Sequence, residues 1–579
     1  MSVAQFFKAY DLRGTTPHLS IEVYYWSGFG LVETILKPQN LALSVILVRD
    51  CRLTSPDFYD AFAKGICDAG GSIISLGIGT TDLMYAGSMS LNLPGAMITA
   101  SHNPAADNGL KIVKKIPQML GLDSGLDKIR DFVVHKIEVE KAKIDLKNIP
   151  NYREDTKIKN QVIQFFTTKI KEIGEVEKLI EIINLDQGNK IKLQQNLTQS
   201  LEKSSNIKKD KKIQFQFKKL KVVVDTANGM GGFVMPYLRD IYADLIDFIP
   251  LFWELNGSFP NHPADPMNPD NLRFLSQKVL EEQADFGIAM DGDADRAFFV
   301  DEKGSLISGE HLVALFAQEI LNDNFELGKY KARENESKNN EINSNLQKTS
   351  SLDQKNLEIK QSPQKNILDY SPNFEQKHLN QQIQFNPAIV YVISYSRALA
   401  DTVLENNGIP VISKQGHTFV KSQMSKYKAI YGGEASGHHY FGQFGFMDSG
   451  AITIAIFIKI IILKNQTLKI NQSLEKNEQK IIKASQLCAV WSAKYFVSGE
   501  QNFILPKSLT MPRVVEIIKK NYQKLTISEL DGITVYDILW KFTIRSGNTE
   551  PLLRINVETK IENKTKEILD KIKEILNLS

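Results

Sequence analysis

Short runs of β-branched and aliphatic residues recur along the chain and stop at Gly or Asp turns: LALSVILVRD, GSIISLGIG, GAMITAS, KVVVDTANG, FGIAMDGD, AIVYVISYS and KAIYGGE. Apolar runs of this length, bounded by turn residues, predict buried strands. Between them lie stretches with helical spacing, such as SPDFYDAFAKGICDAGG, which ends on glycine. Strands alternating with helices predict several α/β layers. The most apolar run, Ala451 to Leu463, is 13 residues long and contains Lys459. It is too short to cross a bilayer of about 30 Å and predicts a buried helix.

Two segments break the pattern, residues 172–219 and residues 324–384, both rich in Lys, Asn, Gln, Ser and Glu. The second has little periodicity and few aromatics, and reads as a disordered surface insertion. The first opens on an amphipathic stretch, EVEKLIEIINL, before turning lysine-rich, and is expected to be partly ordered. Residues 464–479 read as a polar linker. Setting these aside leaves four parts, at 1–152, 153–305, 306–470 and 480–579.

Length and composition narrow the class. At 579 residues the chain exceeds a single core, and 42% hydrophobic residues suffice for several. Seventy basic and 67 acidic residues give a net charge of +3, so no general field draws nucleic acid or anionic membrane, and anion binding must be local. Cys51, Cys67 and Cys488 have neither disulfide nor metal-ligand spacing, which fits a reducing compartment. The segment MSVAQFFKAYDLRG lacks the features of a signal peptide, so the cytoplasm is the expected location.

Four constellations carry chemistry. Thr99-Ala100-Ser101-His102-Asn103-Pro104 follows an apolar strand and precedes Asn108-Gly109-Leu110-Lys111. A serine on a turn beside a histidine is set up as a nucleophile. Asp291, Asp293 and Asp295, on an extended backbone, would point one way and offer hard oxygen ligands to Mg²⁺, while Arg296 could grip a phosphate. Glu302, eleven residues after Asp291, raises a calcium-loop reading, which fails because Arg296 stands where that loop needs glycine and AFFVDE reads as a strand. Glu434 and Ser436, in the glycine-rich GGEASGHHYF, suit paired sugar hydroxyls, and His438 could carry a proton; packing histidines fit that stretch equally well. Arg545-Ser546-Gly547-Asn548-Thr549-Glu550-Pro551 reads either as an anion nest or as a capped turn with Arg545 solvated. Lys8 to Gly14 adds cations at the N-terminus that could reach a phosphate, and a surface turn explains this stretch equally well. Together these residues imply a phosphosugar substrate.

In order along the chain, KAYDLRG, TASHNP, DGDADR, GEASGHHYF and RSGNTEP resemble the loops of the α-D-phosphohexomutase family, in its phosphomannomutase/phosphoglucomutase branch. The resemblance spans nearly the whole chain apart from the insertions. It implies three similar mixed α/β domains and a smaller C-terminal α+β domain around a cleft. The parts at 1–152, 153–305, 306–470 and 480–579 would then supply phosphoserine, metal, sugar and phosphate loops. It implies intramolecular phosphoryl transfer between hexose 1-phosphate and hexose 6-phosphate through phospho-Ser101 and a hexose 1,6-bisphosphate. Mg²⁺ would be held by Ser101, Asp291, Asp293 and Asp295, and the general acid/base candidates are His102, Lys111 and His438. Gly416 and His417 resemble the loop that reads sugar orientation. Glu434 and Ser436 would bind sugar hydroxyls, Arg545, Ser546, Gly547, Asn548 and Thr549 the distal phosphate, and Tyr10, Arg13 and Arg296 would line the cleft. A monomer or weak homodimer, with neither nucleic acid nor membrane as partner, is expected.

The chain departs from the family at two places. Gly547 stands where the family has a serine, a loss of about 1 kcal/mol of phosphate binding unless Ser546 compensates. Ser394 stands where the family has a lysine. A phosphosugar phosphatase on the same scaffold and a non-catalytic sugar-phosphate-binding protein are the alternatives; the paired TASHNP and DGDADR motifs weigh against the second.

Overall fold

A computed structural model describes residues 2–144, 152–183, 219–323, 386–475, 481–506, 509–547 and 552–578. Two compact bodies form, one from residues 1–309 with 433–489, the other from residues 310–432 with 490–579.

The first body begins with a mixed sheet in the order Leu12–Thr15, Asp107–Lys115, Gly95–Ile98, Ser44–Arg49, Ser72–Ile78. Its last three strands run parallel, and the first two are antiparallel to their neighbours. Strand Ser44–Arg49 is apolar on both faces because both are covered. Val45 and Leu47 join the core formed with helices Ile21–Gly30, Ser55–Asp68 and Leu126–Val134. Ile46 lies on the other face, against Gly87 of helix Thr81–Leu91. Helices Ile21–Gly30 and Ser55–Asp68 approach through glycine: a Cβ on Gly65 would lie 2.0 Å from the Tyr25 carbonyl oxygen, and one on Gly28 would lie 2.2 Å from that of Phe62.

A second sheet follows in the order Ala297–Val300, Phe286–Met290, Leu220–Asp225, Ile246–Leu251, parallel except at its Ala297–Val300 edge. The apolar run Ala451 to Leu463 is the buried helix expected of it, and Phe457 stacks on Phe299 at 4.0 Å between ring centroids. Its Lys459 is buried with Nζ 3.3 Å from the Glu175 carboxylate, so the charge inside the apolar run is paired. The helix continues through Glu475, correcting the expected linker over its first twelve residues. That stretch has no Gly or Pro, and extending a formed helix costs far less than starting one. The rest of the expected linker, residues 476–479, lies outside the described residues. The amphipathic stretch at the start of the first insertion is helical over residues 176–183 and buries Val176, Leu179 and Ile183. Its lysine-rich remainder, and the whole of the expected insertion 324–384, lie outside the described residues. Among the described residues no helix is long and apolar enough to cross a membrane.

In the second body, strands Ala388–Val392 and Ile409–Ser413 pair in parallel. The C-terminal sheet is antiparallel, in the order Phe496–Val497, Leu552–Thr559, Trp540–Ser546, Ile533–Tyr536, Thr526–Ser528. Helices Met511–Asn521 and Thr565–Leu576 supply Val514, Ile518, Ile572 and Leu576 to its core. Arg397 joins this sheet to the helix Arg397–Glu405: its N–H and Nε donate to the Glu558 carboxylate at 2.8 and 2.9 Å.

The glycine contact gives a direct test of the first core. Gly65→Val puts a branched side chain against a backbone carbonyl that cannot rotate away, and is expected to cost about 1–3 kcal/mol, read as a lowered calorimetric Tm.

Candidate functional site

Strand Gly95–Ile98 ends at a turn that holds Ser101 in the left-handed region, with φ of 53°. The Ser101 N–H donates to Thr99 Oγ1 at 2.9 Å, and Ser101 Oγ donates to Asp291 Oδ2 at 3.0 Å. His102 Nδ1 lies 3.3 Å from the same Oγ. The serine is 4% exposed, so the hydroxyl meets little bulk water.

Asp291 to Arg296 links strands Phe286–Met290 and Ala297–Val300. Its backbone is a turn, closed by the Ala294 N–H donating to the Asp291 carbonyl at 3.1 Å, with Ala294 at φ of 63°. This corrects the expected extended backbone: the carboxylates are gathered by chain reversal and not by strand alternation. Asp291, Asp293 and Asp295 are each no more than 1% exposed, and one carboxylate oxygen from each lies within 4.8 Å of the others.

Cations from other elements balance this charge. Lys111, on strand Asp107–Lys115, donates from Nζ to Asp293 Oδ2 at 2.7 Å and Asp295 Oδ2 at 2.6 Å. Arg296 Nε donates to Asp291 Oδ2 at 2.9 Å. Burial works against the Lys111 ammonium, but Asp293 and Asp295 outweigh it and hold the group protonated above its usual range. Burial likewise opposes the Asp293 carboxylate, yet Lys111 and the Thr81 hydroxyl keep it well below the usual carboxylate range. Asp291 is pushed up to about 7, chiefly by burial, which with Asp295 and Asp293 exceeds the opposing pull of Arg296.

The two histidines are shifted in opposite directions. His102 is held well below the usual imidazole range by burial and by the charges of Arg296 and Arg13. His438 is raised: burial opposes its charge, but the hydrogen bond to Glu434 and the charge of Asp295 prevail. Its Nδ1 lies 3.4 Å from Glu434 Oε2 and its Nε2 3.7 Å from Asp295 Oδ1. The neighbouring His439 is pushed down to about 3 by burial and by His438, so the adjacent rings are shifted in opposite directions.

Of the residues expected at the site, Ser101, His102, Lys111, Asp291, Asp293, Asp295, Arg296, Glu434 and His438 are linked by these contacts. Arg13 joins them, donating from Nη1 to the Ala100 carbonyl and from Nε to Asp11 Oδ2 at 2.8 Å. Ser436 Oγ lies 3.3 Å from His438 Nδ1, and Tyr10 is half-buried in the same body. In the second body Gly416 precedes the helix His417–Tyr427, with φ of 126°. Arg545 is 4% exposed and donates from Nη2 to Glu500 Oε2 at 2.6 Å, while Arg554 donates to Glu500 Oε1 at 2.8 Å. The solvated reading of Arg545 is thereby corrected: facing Arg554 across two strands, it is held by a shared carboxylate. The Gly547 N–H donates to the Leu552 carbonyl at 2.7 Å and so closes the hairpin, while Ser546 is exposed. Asn548 and Thr549 lie outside the described residues.

Two further residues, given no role by the sequence reading, support the site. Thr81 donates from Oγ1 to Asp293 Oδ2 at 2.6 Å and from its N–H to the Asp293 carbonyl at 3.2 Å. Tyr440 donates to Glu434 Oε2 at 2.5 Å from within the core. Thr81 is 212 residues from the aspartate it supports and belongs to none of the motifs, whereas Tyr440 stands inside GEASGHHYF, where nothing in the residue order marks it as the partner of Glu434.

The buried Oδ1 atoms of Asp293 and Asp295 accept no hydrogen bond among the described residues. Unsatisfied carboxylate oxygens in a water-poor turn suit a hard divalent cation, so the acidic cluster fits a metal site.

Comparison with known proteins matches the chain in three consecutive stretches. Residues 4–136 match "Phosphoglucomutase/phosphomannomutase, alpha/beta/alpha domain I", residues 197–304 match domain II and residues 373–477 match domain III, together more than half of the chain. A phosphomannomutase of Vibrio cholerae is 27% identical, with 98% of both chains aligned. A Xanthomonas campestris protein named "Phosphohexose mutases" is 28% identical, with 97% of this chain and 98% of that one aligned. Among solved structures, a phosphoglucomutase/phosphomannomutase family protein of Burkholderia thailandensis superposes with a TM-score of 0.66 at 21% identity, over 100% of this chain and 98% of that one. Parafusin of Paramecium superposes with a TM-score of 0.62 at 15% identity, over 99% and 95% of the two chains.

The charge balance predicts how the turn responds to its cations. Lys111→Ala leaves Asp293 and Asp295 facing each other without their ammonium, so Tm should fall. Added divalent cation should then raise Tm by more than in the parent protein, where the ion competes with Lys111; a thermal-shift titration reads both effects.

Proposed function

This chain belongs to the phosphoglucomutase/phosphomannomutase family, and from that premise we propose that it interconverts the 1- and 6-phosphates of mannose or glucose through a phosphorylated Ser101. The observation that carries the reading is the Ser101 hydroxyl on a left-handed turn, 3.0 Å from Asp291 within a carboxylate cluster balanced by Lys111 and Arg296. A division into parts at 1–152, 153–305, 306–470 and 480–579 belongs to the same reading and is supported by the four sheets found among the described residues.

Asp291, Asp293 and Asp295, with an oxygen of phosphorylated Ser101, would hold Mg²⁺, which when bound supplies positive charge to the transferring phosphoryl oxygens. The chain's own groups do the rest. In the first transfer the Oγ–P bond of phospho-Ser101 breaks as a P–O bond forms to the free hydroxyl of the hexose phosphate; that hydroxyl gives its proton to one of the acid/base candidates His102, Lys111 and His438, and the freed Ser101 Oγ takes up one proton from the same set, so the protons balance. The resulting hexose 1,6-bisphosphate turns around, and its other phosphoryl group returns to Ser101 Oγ. His102, neutral and 3.3 Å from that oxygen, is placed to accept the serine proton at Nδ1. Lys111, held cationic by Asp293 and Asp295, offsets charge on the transferring group, and His438, whose protonated form Glu434 and Asp295 favour, is the acid candidate toward the sugar oxygens. No atom is lost in the cycle, so no phosphate is released, and trace bisphosphate re-phosphorylates any serine left bare.

Recognition divides among the remaining residues. Glu434, fixed by Tyr440, and Ser436 take sugar hydroxyls, with Gly416 and His417 reading sugar orientation. Arg545, Ser546, Gly547, Asn548 and Thr549 take the distal phosphate, which must draw Arg545 away from Glu500. Tyr10, Arg13 and Arg296 complete the substrate-binding set.

A coupled assay with Mg²⁺, trace hexose 1,6-bisphosphate and mannose 1-phosphate or glucose 1-phosphate tests this directly. The 6-phosphate should appear without free phosphate, and Ser101→Ala should lower kcat/KM by about 10⁴-fold or more. Full turnover in Ser101→Ala would overturn the nucleophile assignment. Stoichiometric phosphate release would establish a hydrolase instead.

A further inference from the structure

Arg52 is among the most deeply buried cations of the first body, with a side chain 0% exposed. It lies between strand Ser44–Arg49 and helix Ser55–Asp68, outside every motif that resembles a catalytic loop. Its Nε donates to Asp50 Oδ2 at 3.1 Å. Its Nη1 donates to the carbonyls of Pro104 at 2.6 Å and Asp107 at 3.0 Å. Its Nη2 donates to the carbonyls of Ser101 at 2.8 Å and Asn103 at 2.7 Å. A guanidinium has five N–H donors, and these five bonds use all of them, so no donor remains for a phosphate.

The four carbonyls belong to the segment Ser101 to Asp107, which presents the reacting hydroxyl. Ser101 holds a backbone conformation that L-residues rarely adopt, and its carbonyl lies so close to the turn Asp291–Arg296 that a Cβ on Gly292 would sit 2.2 Å from it. A loop turned this way aims several carbonyl oxygens inward, where only a planar, multiply donating cation can satisfy them at once. Asp50 fixes that cation in turn, accepting also from the Arg52 N–H at 3.0 Å and from Ser55 Oγ at 2.5 Å. The Phe259 ring covers the guanidinium with its centroid 5.1 Å away.

We propose that Arg52 is a positioning residue for phosphoryl transfer, holding the Ser101–Asp107 backbone in the conformation that aims Ser101 Oγ at Asp291 and His102. The proposal rests on the reading of Ser101 as the nucleophile. It acts through backbone carbonyls and touches no substrate, so its removal should lower kcat and leave KM nearly unchanged.

The test is steady-state mutase kinetics on the full chain with Arg52→Lys, Arg52→Ala and Ser101→Ala. Arg52→Lys keeps the charge opposite Asp50 but offers three donors in place of five. It should fold, lose about 100-fold in kcat or more, and keep KM within about threefold. Added guanidinium ion should restore part of the kcat of Arg52→Ala and none of that of Ser101→Ala. Parental kcat in Arg52→Lys and Arg52→Ala, a raised KM at unchanged kcat, or absence of guanidinium rescue would each overturn the proposal. So would an Arg52→Lys protein that fails to fold, because it would assign Arg52 to the stability of the whole body. Full turnover in Ser101→Ala would instead remove the nucleophile reading on which the proposal stands.

Discussion

Three aspartates share one tight turn from which water is almost excluded, and ionised carboxylates so placed repel one another and lose their hydration. Each such group costs several kcal/mol unless cations and hydrogen-bond donors replace the lost water. The replacements come from separate elements: Lys111 from a strand of the first sheet, Thr81 from the start of a helix, and Arg296 from the turn itself. The acidic turn is therefore stable only when the first and second sheets lie together as they do. That same packing brings Ser101 to Asp291, so the condition for burying the charge is also the condition for bringing that hydroxyl to the acidic turn.

The surroundings of this cluster sort the proton carriers. His102 sits among arginines and burial lowers its pKa, whereas His438 sits among carboxylates that favour its charged form. Two imidazoles of one unperturbed pKa are thus shifted in opposite directions within one body. Lys111, bound between two carboxylates, is committed to its charge and cannot accept a proton in this arrangement. The division of labour between base and cation follows from neighbours, not from residue type.

In the second body the same economy appears in another form. Arg545 and Arg554 face each other on adjacent strands and would repel without Glu500 between them. A carboxylate bridging two guanidiniums occupies them much as a phosphate would, with fewer oxygens and less charge. Gly547, in place of a family serine, offers no side-chain hydroxyl, and its N–H is already used in closing the hairpin.

Local chemistry was legible in the sequence because it depends on neighbours along the chain. The β-branched runs became strands, the run from Ala451 became a buried helix, and TASHNP and DGDADR fell on turns at strand ends. Two expectations failed where local signals compete: the acidic residues were read as a strand extension when a turn gathers them, and the polar tail of the long helix was read as a linker. What only the tertiary structure decided is which charge meets which. Lys111 and Asp293 are 182 residues apart, and Ser101 and Asp291 are 190 apart. The protonation of each histidine, the pairing of Arg545 and the part assigned to Arg52 all depend on such distant partners. Electrostatic energy is set by separation in space and by the water excluded between groups, and neither quantity is written in the order of residues.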